Sequence, residues 1–189
     1  MFTRKRVLQA AGILVAASAF STTFAQSQAR YEFGTAIGPQ ELVKFFAIPA
    51  DGTGLPPGSG TAAAGAKVFA DNCAACHGDK GQGNPAKGVG GDRLLGGRGT
   101  LASDTPIKTV ESYWPYATTL FDYVKRSMPF NAPGSLSDND VYSVVAYILS
   151  EAKIIKPTDT MNAATLPKVI MPNRDGFIPD PRPELELYR

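Results

Sequence analysis

Cys73-Ala74-Ala75-Cys76-His77 gathers both cysteines and the single histidine of a 189-residue chain into five consecutive positions. Cys-x-x-Cys-His is the attachment signature of c-type haem. The two thiols add across the haem vinyl groups and make the cofactor covalent, and the adjacent His is left on the proximal side to ligate iron. With no further Cys or His, the chain has room for one haem c, offers no second His ligand and keeps no disulfide once the thioethers form. Other chemistries use parts of this motif. A thioredoxin-like redox pair would sit in βαβ patterning, which the chain lacks. A structural zinc site wants four ligands, and only three candidate residues exist.

Thioether sulfur is the remaining strong-field partner for a low-spin iron. Met1 falls in an N-terminal leader, which leaves Met128, Met161 and Met171. Met128 stands at the end of a helical pattern and before Pro129, in Ser127-Met128-Pro129-Phe130, where a restrained backbone can hold the sulfur on a metal. Met161 and Met171 lie in an irregular tail. Any one of the three can instead be core filler, the commonest use of Met. Met128 is the expected ligand. Trp114, the only Trp, is expected against the haem edge or its propionates, because a buried indole N–H normally finds an acceptor. The alternative is a core aromatic turned away from the haem.

These residues need elements to place them. The sequence predicts a first helix over Ala62 to about Cys76, with Gly65, Val68, Phe69 and Cys73 at spacings of three and four. Gly inside a helix costs about 1 kcal/mol against Ala, so Gly65 implies a close helix crossing. A second helix is expected from near Pro115, a favourable first-turn residue. It puts Leu120, Tyr123 and Val124 on one face and stops at Met128, since a residue before Pro avoids helical angles. In the third, Ser137-Asp138-Asn139-Asp140 reads as an N-cap with an acid at N3. Val141, Val144, Val145, Ile148 and Leu149 follow as the apolar stripe. Residues 78–99 hold nine glycines, which permit backbone to lie close against a haem. A turn-rich loop occupies 51–60, and a short helical candidate spans about Pro39 to Phe46. After Ala152 the tail carries six prolines and is expected to be extended. It lies either on a partner or on its own domain.

Arg4, Lys5 and Arg6, the apolar run Val7–Phe20 and Thr23-Phe24-Ala25 form the pattern of a secretory signal peptide. An uncleaved membrane anchor is the other reading of this segment. The expected organisation is a signal at 1–25, an N-terminal arm at 26–61, a monohaem domain at 62–152 and a Pro-rich tail at 153–189. Without the leader, 16 basic residues face 17 acidic ones. A near-neutral protein of this kind is unsuited to nucleic acid and has no strong long-range field. Export agrees with the haem motif, because c-type haem is attached outside the cytoplasm. A periplasmic protein with no membrane span after cleavage is expected.

At these residues the chain resembles the class I cytochromes c. An N-terminal helix ends in Cys-x-x-Cys-His, a Gly-rich loop and a Met-Pro pair come next, and a C-terminal helix closes the pattern. The resemblance covers about Ala62 to Ala152. It implies an all-α class I cytochrome c fold with irregular arms, in which Gly65 and Phe69 cross an aromatic of the last helix, Tyr147. A more specific resemblance reaches into the arms. Ser112-Tyr-Trp-Pro-Tyr-Ala-Thr-Thr-Leu-Phe-Asp-Tyr123, Met128-Pro-Phe-Asn-Ala-Pro-Gly-Ser135, Val141-Tyr142, Ala146-Tyr-Ile-Leu149, Pro49–Gly58 and Met171–Phe177 look like the SoxD-like and sulfite dehydrogenase cytochrome subunits of periplasmic sulfur-compound dehydrogenases. Some SoxD proteins carry two haem domains and this chain has one, so sulfite and sulfane both stay open as substrates. The resemblance implies a partner subunit holding molybdenum cofactor, a downstream cytochrome c or oxidase, and an electron-accepting role for this chain. No carboxylate cluster or extra Cys is present for the oxidation itself. The alternatives are a freely diffusing carrier donating to a terminal oxidase, and a haem enzyme or gas sensor with an open iron.

Overall fold

A computed structural model describes residues 47–84, 91–178 and 181–182, together with Gly34 and Gly38. The expected leader, the helical candidate at 39–46, part of the Gly-rich loop and the end of the tail lie outside these residues. The chain divides into two compact units, Met1–Gly38 and Pro39–Arg189. All the helices and strands described belong to the second.

The order is β1 (Ser59–Thr61), α1 (Ala62–Asn72), α2 (Ala74–His77), α3 (Ala117–Ser127), α4 (Asp138–Glu151), β2 (Thr160–Asn162) and a single 3-10 turn at Leu166–Lys168. Helices dominate, as expected. The small antiparallel ladder was not expected: Ser59 pairs with Asn162, Gly60 with Met161 and Thr61 with Thr160. Each strand is only three residues long, too short to show an alternating pattern in sequence.

Helix α4 forms as its sequence implies. Ser137 is the N-cap, its hydroxyl accepting from Asp140 N at 3.2 Å and donating to the Asp140 carboxylate at 2.6 Å. This satisfies one of the orphan donors of the first turn. Val141, Val144, Val145, Ile148 and Leu149 are all buried. Helix α1 crosses α4 at Gly65, where a Cβ would overlap the Ser143 carbonyl and approach Tyr147 Cβ at 2.8 Å. With no side chain at Gly65 the backbones close, and Phe69 stacks tilted on Tyr147 at 5.0 Å between ring centres. The expected crossing is therefore present.

Two helix boundaries differ from expectation. The first helix breaks at Cys73, which leaves helical angles (φ −124°, ψ −38°) before a separate turn, α2, carries Cys76 and His77. The second helix begins at Ala117 rather than near Pro115, because Tyr116 is extended (φ −136°, ψ 136°) and serves as its N-cap. On α3, Leu120 and Val124 are buried but Tyr123 is 48% exposed, so the anticipated apolar face is narrower.

The tail packs on its own domain. Beyond the ladder, Met161, Leu166, Val169 and Met171 join the same core as Phe69, Leu120, Phe121 and Leu149. Asn173 Nδ2 donates to Tyr113 O at 2.8 Å, and Phe177 meets the Tyr113 ring edge-on at 5.1 Å. The described end of the arm is tied down too. Ile48 N donates to the Asp122 carboxylate at 3.1 Å, and Tyr142 OH donates to Pro56 O at 2.9 Å.

Candidate haem site

The attachment segment starts where α1 ends. Cys73 N still donates to Phe69 O at 2.8 Å, while Cys73 O accepts from Cys76 N at 3.1 Å and His77 N at 2.9 Å. The Cys73 carbonyl thus restarts the helical bonding that its own dihedrals interrupt. Gly78, at φ +80°, stops the turn and donates to Ala74 O at 2.9 Å; positive φ is a conformation Gly adopts freely. Both thiols are free and half-buried. Burial, then the neighbouring Cys76, pushes the Cys73 thiol up to about 11, so it is neutral at physiological pH.

His77 is held at three points. Besides the bond to Cys73 O, its carbonyl accepts from Gly83 N at 2.7 Å, and its ring Nδ1 lies 2.6 Å from Asp92 O. A carbonyl can only accept, so Nδ1 donates to it, and in the neutral imidazole this leaves Nε2 as the nitrogen with the lone pair a metal requires. This Asp92 contact was not anticipated. A backbone acceptor has no side-chain signature; the only hint was the Gly run around it. The loop is folded back to provide it, with Leu94 N donating to Gly81 O at 2.8 Å.

Met128 caps the C-terminus of α3. Its backbone is extended (φ −121°, ψ 152°), its N–H donates to Val124 O at 3.1 Å, and the bond to Pro129 is cis. The side chain is half-buried against the core. Met161 and Met171 are buried in that core. Trp114 is half-buried, packs against the core and meets the Tyr123 ring edge-on at 5.6 Å. Its indole N–H meets no acceptor among the described residues.

The structure places Cys73, Cys76 and His77 together on one turn. It brings Met128 and Trp114 to the same core from the two ends of α3. Cys73, Ala74, Leu94, Leu95, Trp114 and Met128 are each partly buried against that core; two thiols, one imidazole and one thioether are a donor set that fits a haem c. Two grooves lie elsewhere. One, of about 560 Å³, runs along α1 and α4 past Lys67, Val68 and Leu136. The other, of about 510 Å³, is bounded by Ile154, Ile155, Met161 and Ile170. Neither contains any of the five residues singled out by sequence.

A polar clasp ties the loop before α3 to the end of α4. Glu111 accepts from Gly96 N at 2.6 Å and pairs with Arg98 at 3.2 Å, and Arg98 also donates to Ala152 O at 2.7 Å. A cation on the last carbonyls of α4 complements the helix dipole.

The Cytochrome c family model matches residues 62–152. Among solved structures, the crystal structure of the sulfane dehydrogenase SoxCD from Paracoccus pantotrophus superposes with a TM-score of 0.70 at 39% identity, covering 83% of this chain and 76% of that one. Thiosulfate dehydrogenase of Stutzerimonas stutzeri is 34% identical over 98 residues, 52% of this chain and 30% of its own length. The oxidase subunit FixP of a Bradyrhizobium species is 49% identical over 52 residues, only 18% of its length. The chain thus spans a minor part of these two curated relatives. Cytochrome c6 of a Picosynechococcus species is 34% identical over 107 residues, 53% of this chain and 81% of that protein.

Proposed function

The chain belongs to the cytochrome c family and carries haem c as an electron carrier; from that premise we propose that it is the periplasmic electron-accepting subunit of a molybdenum sulfite or sulfane dehydrogenase. One observation carries this reading: similarity to the sulfane dehydrogenase reaches across 83% of the chain at 39% identity, beyond the residues 62–152 that the cytochrome c family model matches. What it adds lies outside a minimal haem domain. The arm and the tail supply that extra length, and both are packed into the structure, through Ile48, Pro56, Met161 and Met171.

Cys73 and Cys76 would hold the haem by thioethers, and His77 and Met128 would ligate its iron. The Asp92 carbonyl keeps the imidazole in one tautomer and orientation. Trp114 would pack beside the haem, where its N–H could donate to a propionate. Bound here, the iron supplies one-electron chemistry at a potential raised by the Met ligand and by burial. In this reading oxidation of the substrate falls to the partner, and this chain takes up the electrons. No described helix is long and apolar enough to cross a membrane, and the leader at 1–25 accounts for export.

The test is isolation of the native protein followed by addition of sulfite, or of a sulfane-bearing thiol, to whatever accompanies it. Co-isolation with a molybdenum protein and substrate-driven reduction of the haem are expected. A protein that emerges alone, stays oxidised with both substrates and readily reduces an oxidase would establish the freely diffusing carrier instead.

A further inference from the structure

We propose that Gly91 is a positioning residue for the iron's proximal ligand: it lets the backbone close onto Cys76, so that the next carbonyl, that of Asp92, reaches His77 Nδ1. This rests on His77 being the axial ligand.

The geometry is specific. A Cβ built on Gly91 would overlap the Cys76 carbonyl carbon and oxygen and stand 2.9 Å from Cys76 Cβ. The first two are backbone atoms inside a hydrogen-bonded turn, so they cannot swing away as a flexible side-chain tip would. Gly91 does not have a positive φ, so it is not needed for an unusual backbone conformation. What it provides is space. The neighbouring glycines differ in this respect. Gly78, Gly81 and Gly83 all have positive φ and are explained by turn conformation, and the Cβ contacts at Gly81 and Gly83 are no closer than 3.2 Å.

Closeness at Gly91 matters because the next residue supplies the acceptor for the imidazole. Asp92 O sits 2.6 Å from His77 Nδ1. The Asp92 side chain plays no part in this bond. An added methyl at 91 pushes the segment off Cys76 and lengthens the bond. An imidazole that donates strongly through Nδ1 is a more basic ligand at Nε2, and a more basic ligand favours the ferric state. Gly91 therefore keeps the potential lower than His and Met ligation alone would set it, and protects the Nδ1 proton.

Because His77 is the only histidine, ¹⁵N-histidine labelling of the holoprotein gives one imidazole to observe. In the wild type, Nδ1 is expected to stay protonated in both redox states and to exchange slowly with solvent. Gly91→Ala should speed that exchange measurably and raise the reduction potential. Asp92→Ala keeps the carbonyl and should change neither. The proposal is overturned if Gly91→Ala leaves both readouts unchanged, or if Asp92→Ala shifts them equally. Should Gly91→Ala fail to mature, the wild-type measurement still decides: fast exchange of Nδ1–H contradicts the close contact. Absence of any iron-shifted histidine signal in a haem-loaded protein would instead defeat the ligand assignment on which the proposal stands.

Discussion

Three residue-scale contacts set the geometry around the attachment motif, and each is sensitive to a single atom. Gly65 is the least tolerant. A methyl there meets the Ser143 carbonyl, and α1 can move only by giving up the Phe69–Tyr147 stack. Overpacking of this kind costs about 1–3 kcal/mol, so Gly65→Ala should lower the stability by that amount or prevent haem incorporation. A stability equal to wild type would show that the two helices do not close on each other at this point. Trp114 gives a second test. Placed at the haem edge, its fluorescence should be quenched in the folded holoprotein and recover on unfolding; bright emission from the native state would place the indole elsewhere. Cys73, Cys76, His77, Met128 and Trp114 stand out in sequence because side-chain type and spacing single them out. The Asp92 carbonyl does not, since any residue supplies the same acceptor and only the close approach at Gly91 selects this one.

At the scale of elements, the caps and stripes that read correctly are local. Ser137 with Asp140 and the Val141–Leu149 stripe are each set by near neighbours in the chain, so sequence suffices for α4. What escaped the sequence is non-local. The ladder joins residues about a hundred positions apart, and the tail is held by anchors, Met161, Leu166 and Met171, that resemble scattered apolar residues of a linker. This decides between the two roles open to the tail. Truncation after Lys156 removes buried core side chains, each worth about 2–5 kcal/mol when deleted, and should sharply lower the melting temperature. A truncated protein melting near wild type would return the tail to a purely partner-binding role. The arm offers a pH test. Burial first, then Asp138, pushes Tyr142 up to about 12, above its ordinary value, while its hydroxyl donates to Pro56 O. The unfolded chain loses this proton near its ordinary value of about 10 and the folded one only near 12. The unfolded state therefore binds fewer protons between them, and stability falls as pH rises through that window. Tyr142→Phe should flatten this loss; an unchanged alkaline profile would show that the hydroxyl is not the responsible group.

At the largest scale, the segments around Ile48 and Pro56 and around Met161 and Met171 pack on the helical domain. Phe130 is 85% exposed two residues beyond Met128, and the run from Pro129 to Ser137 contains no charged residue. Electron exchange through this side should depend weakly on salt, and Phe130→Ala should slow reduction by the partner while the haem spectrum stays unaltered. A spectrum unchanged together with an unchanged rate would move the docking side elsewhere. Electron transfer by this protein depends on a closed iron, since an open one binds ligands instead. The most direct measurement is the weak sulfur-to-iron charge-transfer absorption of the ferric protein, taken on the wild type and on Met128→Ala. Ligation by Met128 predicts the band in the wild type, its disappearance in the variant and a lower potential there. A band that survives in Met128→Ala, or that is missing from the wild type, would contradict it.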